Sequence, residues 1–200
     1  MRRITRLAGW FCAVSMVFLV SSCSTLQPPA PTERSFYDSI LIHGRFSSNF
    51  EQNNRQQSVQ GRFEWSQNGQ AIDIDLLSPL GQTLAKLSIT PGSAKIQESG
   101  KEAKVASNIA ELTERSLGWA LPVAGMRDWL QGFNRNSSRQ LQTVSASGSE
   151  IVDTEGWRIH YISWQQNAVT VYPKRIDISR TSPNTTQLSL RLVIDHWEPR

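Results

Sequence analysis

Beyond residue 36, apolar and polar residues alternate along most of the chain, with the period of two that is typical of half-buried strands. Ile72, Ile74 and Leu76 are separated by Asp73 and Asp75, which predicts a strand with one apolar and one solvated face. Similar segments follow at short intervals and are separated by Gly- and Pro-containing turn signals. Strands at this spacing predict an antiparallel meander that curves toward a barrel.

One of these turns carries an unexpected residue. In the sequence Ser78-Pro79-Leu80-Gly81, the proline presets φ for the first central position and the glycine closes the turn. Turn tips face water, so a polar residue is expected between them, yet the chain has Leu80. A single exposed leucine is ordinary on protein surfaces and by itself indicates no function.

The period changes in the middle of the chain. Ser107 is the predicted N-cap of a helix that ends before Gly118, with Ile109, Leu112 and Leu117 on one stripe. A second short helix is predicted over the sequence VAGMRDWLQGF, which follows a proline. Strand patterns return from about residue 140. This order predicts an α+β domain whose helices cover one mouth or face of a curved sheet.

The first 22 residues resemble a bacterial lipoprotein signal. Three arginines precede the uncharged stretch LAGWFCAVSMVFLV, which is too short for an ordinary membrane span. The sequence VSSC follows, so Cys23 is expected to be acylated after cleavage on its amino side. Ser24 beside it indicates export to the outer membrane, by resemblance to lipoproteins of enteric-type bacteria. The alternative is an ordinary secretory signal followed by an incidental cysteine.

This processing divides the chain into a signal peptide (1–22), an acylated cysteine with a Pro-rich tether (23–35) and a single domain (36–200). Removing the three signal arginines from the 21 basic residues leaves 18 against 17 acidic ones, so no basic stripe for nucleic acid is expected. Cys12 leaves with the signal and Cys23 carries lipid. The mature domain therefore has no thiol for a disulfide, a metal site or a nucleophile.

Patterns for catalysis and metal binding are weak. His43, His160 and His196 are widely separated and have no zinc-ligand spacing. Neither a G-x-S-x-G elbow nor a glycine-rich phosphate loop occurs, so we expect no catalytic residue, metal or cofactor. The mature chain does have many tryptophans, which either fill the core or line a cavity for acyl chains. They are Trp65, Trp119, Trp129, Trp157, Trp164 and Trp197.

Five segments, in order, resemble the LolB family of outer-membrane lipoproteins: VSSC, GRFEWSQNGQ, DLLSPLGQTLAKLSITPG, LTERSLGWALPVAGMRDWLQGF and LSLRLVIDHW. They span nearly all of the mature chain. The resemblance implies a strongly curved antiparallel sheet, like an incomplete β-barrel, covered by helices around an apolar cavity for acyl chains. One departure is the short segment RSFYDS before the first strand, which leaves little room for the N-terminal helix of the family.

The resemblance also implies a function. Members of the family receive lipoproteins from the periplasmic carrier LolA and insert them into the outer membrane. The expected partners are therefore LolA, acylated lipoproteins and outer-membrane lipid. We expect a monomer on the periplasmic face of that membrane, anchored through Cys23.

Two kinds of site residue follow from the resemblance and the pattern. Leu80, between Pro79 and Gly81, matches the exposed leucine that enters the membrane in this family. The residues expected to line the cavity, chosen for size and pattern, are Phe46, Phe63, Trp65, Leu76, Trp119 and Met126. Two alternatives remain open: an outer-membrane accessory lipoprotein that acts as a protein-binding scaffold in envelope assembly, and an enzyme.

Overall fold

A computed structural model of the protein describes residues 34–146, 149–167, 170–182 and 185–200. The predicted signal peptide, Cys23 and most of the tether lie outside these ranges. In chain order the strands before the helices are β1 (Ser39–Gln52), β2 (Arg55–Asn68), β3 (Ala71–Leu77), β4 (Thr83–Thr90), β5 (Ser93–Glu98) and β6 (Lys104–Ala106). The helices are α1 (Ile109–Leu117) and α2 (Val123–Trp129). The strands after them are β7 (Phe133–Arg135), β8 (Leu141–Thr143), β9 (Glu150–Val152), β10 (Arg158–Gln166), β11 (Val171–Ser182) and β12 (Thr185–Pro199).

Ten strands form one antiparallel sheet in the order β6-β5-β4-β3-β2-β1-β12-β11-β10-β9. The first strand lies in the middle, since β1 pairs with β2 on one side and with the last strand, β12, on the other. The sheet is not closed, and β6 and β9 form its edges. The prediction of a mostly antiparallel α+β fold with an open sheet is confirmed.

Alternating burial gives the sheet one apolar face. In β3, Ile72, Ile74 and Leu76 are buried while Asp73 is exposed, as the pattern predicted. The same alternation in β12 buries the even-numbered residues from Leu188 to Ile194. Register shifts interrupt the pairing, for example between residues 43 and 44 of β1, and bulges of this kind bend strands. One cluster of buried residues, from strands and helices together, forms the core.

The two helices begin and end close to the predicted positions. Asn108, not Ser107, is the N-cap of α1, because its side-chain oxygen accepts hydrogen bonds from the N–H groups of Ala110 and Glu111. Gly118 ends the helix in the left-handed conformation, as expected. Neither helix in the described ranges is long and apolar enough to cross a bilayer.

Residues 34–38, which precede β1, contain no helix. Arg34 attaches this stretch to β11 and to the segments that flank β7 and β8. Its guanidinium donates to the carbonyl groups of Gly132, Val144 and Val171 and lies 4.1 Å from the ring centre of Trp164. Burial lowers the pKa of Arg34 from its ordinary value. Within the described residues, the stretch that leads into β1 is therefore not helical.

Candidate functional site

Leu80 projects from the turn between β3 and β4. The N–H of Gly81 donates to the carbonyl of Ser78 at 2.9 Å, and the hydroxyl of Ser78 accepts from the N–H of Gln82 at 3.1 Å. Pro79 and Leu80 are therefore the two central residues of a closed turn. The side chain of Leu80 is 91% exposed, the largest value among the large apolar residues that the structure describes.

The phenylalanines predicted to line a cavity lie over glycines of the neighbouring strand. In the β1–β2 register, Gly44 is opposite Phe63 and Phe46 is opposite Gly61. A Cβ atom on Gly44 would lie 2.6 Å from the Phe63 ring, and one on Gly61 would lie 3.0 Å from the Phe46 ring. The two glycines thus allow both rings to pack against the backbone of the sheet.

Five of the six predicted cavity residues border one small internal void. They are Phe46, Phe63, Leu76, Trp119 and Met126, and the lining is completed by Ile74, Leu121, Leu190 and Leu192. The void has a volume of about 10 Å³, which is about the space of one water molecule. An apolar cavity large enough for an acyl chain is therefore not confirmed. The sixth residue, Trp65, is fully buried in the same core but does not border the void.

Trp119 separates this void from a larger pocket at the surface. The pocket has a volume of about 230 Å³ and lies between α1 and the ends of β1, β11 and β12. The Trp119 ring centre is 6.4 Å from that of Phe46, on the side of the void, and 6.5 Å from that of Phe50, on the side of the pocket. One side chain thus forms a wall of both spaces, and we call the outer one the mouth pocket.

The mouth pocket has aromatic walls and a charged rim. Trp157 and Phe50 are buried in it, and the guanidinium of Arg180 lies 5.3 Å from the ring centre of Trp157. Glu111 and Glu114 of α1 are exposed on the opposite side. Apolar walls with a few polar groups at the opening are typical of sites that bind largely apolar ligands.

The connection between the helices holds Trp119 in place. Gly118 has φ of +86°, and a Cβ there would lie 3.1 Å from the Phe50 ring, so the close approach of α1 to β1 requires glycine. The hydroxyl of Thr113 accepts from the N–H of Leu121 at 2.9 Å. The N–H of Gly118 also donates to the carbonyl of Glu114 at 2.9 Å, so hydrogen bonds at both ends and packing fix the chain from 118 to 121.

The end of α2 is attached to β10 of the sheet. The buried hydroxyl of Tyr161 donates to the carbonyl of Trp129 at 3.2 Å, and its ring stacks on Trp164. Burial raises the pKa of Tyr161 well above its ordinary value, so this hydroxyl stays protonated and remains a donor.

Among the described residues, no group of three or more His, Cys, Asp or Glu side chains is arranged to hold a metal ion. His43 is 3.6 Å from Glu64, and His196 is 3.1 Å from Glu198. Both pairs lie on the solvated face of the sheet and away from the void.

The chain is similar to known proteins over most of its length. Residues 40–197 match the family model described as outer membrane lipoprotein LolB. The outer-membrane lipoprotein LolB of Cupriavidus necator is 38% identical over 205 residues, with 100% of both chains covered. The chain belongs to the LolB family.

Other similar proteins include a relative of lower sequence identity and a solved structure. The outer-membrane lipoprotein LolB of Ralstonia nicotianae is 30% identical over 189 residues, which cover 88% of this chain and 90% of that protein. A solved structure of a LolA superfamily protein from Nitrosomonas europaea aligns with a TM-score of 0.46 and 10% identity, covering 84% of this chain and 88% of that chain.

Sequence analysis missed several residues of the site. Leu190 and Leu192 line the void, and their alternation in β12 was a visible signal that they share its inner face. Phe50 and Arg180 at the mouth pocket gave no such signal, because their proximity depends on how β1, β11 and α1 come together.

Proposed function

We propose that this protein is an outer-membrane receptor that accepts lipoproteins from LolA and inserts them into that membrane. In this role Cys23 carries the acyl anchor that holds the domain at the periplasmic face. The observation that supports uptake of acyl chains is the position of Trp119, which is a wall of both the apolar void and the mouth pocket. Family membership supports the cellular role.

Uptake requires the core to open. Trp119, Leu121 and Met126 border the void from the helical region, and displacing one such side chain costs about 1.5–3 kcal/mol of burial. Each acyl methylene that replaces them contributes about 0.8 kcal/mol. About ten methylenes therefore offset the displacement of all three side chains. The closed and loaded states are therefore close in free energy when about that number of methylenes enters the core, a balance that suits a protein that both accepts and releases its cargo.

No covalent step and no cofactor is needed for this transfer. An acyl chain leaves one apolar groove, enters a second of higher affinity and then partitions into the bilayer. Leu80 acts at the last step: its burial contributes roughly 1.5–3 kcal/mol, too little to anchor a protein but enough to bias a tethered turn toward the interface.

Fluorescence quenching tests the uptake site directly. LolA loaded with a lipoprotein that carries brominated acyl chains is mixed with the purified protein. Quenching of the tryptophan fluorescence of the purified protein is then recorded. We expect the Trp119→Phe variant to lose much of the quenching. Trp197→Phe is the matched control, because Trp197 is a buried tryptophan that stacks on Tyr172 and borders neither the void nor the mouth pocket. Quenching that is equal in both variants would place the acyl chains elsewhere.

The nearly filled core favours a second candidate function. A protein-binding scaffold for envelope assembly has no need of an internal cavity, and a void of about 10 Å³ is what such a protein would have. The same experiment separates the two functions, since a scaffold would show no transfer of acyl chains from LolA and no quenching in the wild type.

A further inference from the structure

The tripeptide Gly-Arg-Phe occurs twice in the chain, at 44–46 and at 61–63. The β1–β2 register places the two copies opposite each other in antiparallel order, so that Arg45 is directly opposite Arg62. The phenylalanines point inward and line the void, while both arginines are exposed on the outer face. The same repeated motif therefore places two positive charges side by side.

Like charges directly opposite each other in a sheet are destabilising unless they are balanced. Arg45 is balanced, since its guanidinium donates to both oxygens of Asp195 at 2.9 Å. Arg62 is exposed and, within the described part of the chain, has neither an ion pair nor a side-chain hydrogen bond. Its charge remains available to a ligand.

The neighbouring strands add to this positive charge. Arg175 and Arg191 share the single carboxylate of Asp177, and Lys174 lies 3.6 Å from Asp195. Burial would raise the pKa of Asp177, but the hydrogen bonds from both arginines outweigh it and the pKa lies below its ordinary value. Four basic side chains (Arg45, Lys174, Arg175 and Arg191) thus pair with two carboxylates, while the nearby Glu64 and Asp75 pair with His43 and Lys86, so Arg62 has no carboxylate of its own among the described residues.

A surface cavity of about 400 Å³ lies among these charges, and we call it the arginine pocket. Arg45, Arg62 and Arg191 border it, together with Pro79 of the turn that presents Leu80. We propose that the arginine pocket binds the phosphate of an anionic phospholipid headgroup while the neighbouring Leu80 enters the bilayer. This inference rests on the proposed membrane role of Leu80 and adds a headgroup site to it.

The surroundings favour a lipid headgroup as the occupant. Guanidinium groups match phosphate oxygens in geometry and charge. An exposed apolar side chain next to excess basic residues is the combination by which peripheral proteins bind anionic membranes. The pocket and the turn share Pro79, so a headgroup in the pocket and a leucine in the acyl region are compatible with one orientation of the protein.

The test measures how strongly the Leu80 turn of the acylated protein inserts into vesicles. With Cys23 acylated, Gln82→Cys supplies the one free thiol of the mature chain, which is labelled with an environment-sensitive fluorophore while Leu80 is kept. Insertion is measured in vesicles of phosphatidylcholine alone and in vesicles with one third phosphatidylglycerol. We expect insertion to be stronger with phosphatidylglycerol, and the ratio of inserted to free turn to fall roughly fivefold for each of Arg62→Gln and Arg191→Gln. Both substitutions leave every carboxylate of the patch paired.

Arg55→Gln is the matched control, since Arg55 is an exposed arginine of the same strand that does not border the pocket. A second measurement does not depend on insertion. Short-chain phosphatidylglycerol, below its micelle concentration, should shift the amide resonances of Arg45, Arg62 and Arg191, and inorganic phosphate should shift them less.

Each outcome decides one point. Insertion that is equal in both vesicles and in all variants, without resonance shifts, would overturn the headgroup site while leaving the role of Leu80 intact. Resonance shifts without insertion would overturn the role of Leu80 alone. Equal shifts with inorganic phosphate would show a site that does not recognise lipid. If the two glutamine variants lose uptake from LolA but keep insertion, the patch binds the carrier and the headgroup proposal is wrong.

Discussion

At the scale of single residues, the role of an apolar side chain in this protein depends on its surroundings. Leu76 and Leu80 are four positions apart, yet the first is buried beside the void and the second is exposed at a turn tip. The hydrogen bond from Gly81 to Ser78 closes the turn without any contribution from the side chain between them. Position 80 can therefore change its chemistry without changing the fold.

Leu80→Glu should separate uptake of cargo from its delivery. We expect the free energy of unfolding to stay within about 0.5 kcal/mol of the wild type, since no core packing is lost. Transfer from LolA to the variant should be normal, but transfer from the variant to liposomes should fail, because a carboxylate resists entering the acyl region. Leu80→Ile is the control and should keep both steps. Loss of the first step, or retention of the second, would contradict a membrane role for this turn.

The sequence was sufficient to predict that Leu80 lies exposed at a turn tip, but it did not single out Arg62. A leucine between Pro79 and Gly81 is conspicuous because turn chemistry is local. Arg62 looks like any outward residue of a half-buried strand, and its meaning depends on Arg45 and Arg191, which are distant in the chain. The size of the void could not be predicted either, since it depends on how closely Trp119 packs against Phe46.

At the scale of elements, period and turn signals predicted most strands and both helices. The N-cap of α1 was predicted one residue too early because Ser107 and Asn108 are both good caps, and only the position of the side-chain oxygen decides between them. The sequence pattern could not predict that β1 pairs with β12, because nothing local indicates which distant strands meet. The ion pair between Arg45 and Asp195 on these two strands likewise joins residues that are distant in the chain.

The Asp177 pairs should make the link between β11 and β12 dependent on pH. The folded pKa of Asp177 is lowered by Arg175 and Arg191, whereas in the unfolded chain an aspartate titrates near 4. The stabilisation is therefore present above about pH 4 and is lost as the pH falls through the lowered pKa. We expect Asp177→Asn to lower the free energy of unfolding by about 1 kcal/mol near neutral pH.

Chemical denaturation across pH measures this effect. The difference between the wild type and Asp177→Asn should shrink in acid, where the wild-type carboxylate is protonated as well. Asp73→Asn is the control, because Asp73 accepts a hydrogen bond from the neutral hydroxyl of Ser88 and has no recorded ion pair among the described residues. A difference for Asp177→Asn that is constant between neutral and acid pH would show that the ion pairs are not its cause.

At the scale of the whole molecule, the sheet places the proposed functions at one end. The turns after β1 and β3 lie at the same end of the antiparallel sheet, since β1 runs opposite to β2 and β3 opposite to β4. Phe50 and Leu188, which border the mouth pocket, pair near that end. The mouth pocket and the Leu80 turn therefore belong to the same end of the sheet by strand direction, and we expect the proposed delivery of acyl chains to use that end.

The acyl anchor is expected to be separable from this folded body. The core consists of residues between Ile40 and Trp197, so no side chain of the described core comes from the region of Cys23. Cys23→Ala should therefore leave the midpoint of thermal unfolding unchanged and abolish labelling by a radioactive fatty acid. A serine at position 24 changed to alanine is the control, and it should be labelled like the wild type because the thioether site is intact. Labelling that persists in Cys23→Ala would contradict the lipoprotein signal, and a lowered unfolding midpoint would show that the anchor region contributes to the fold.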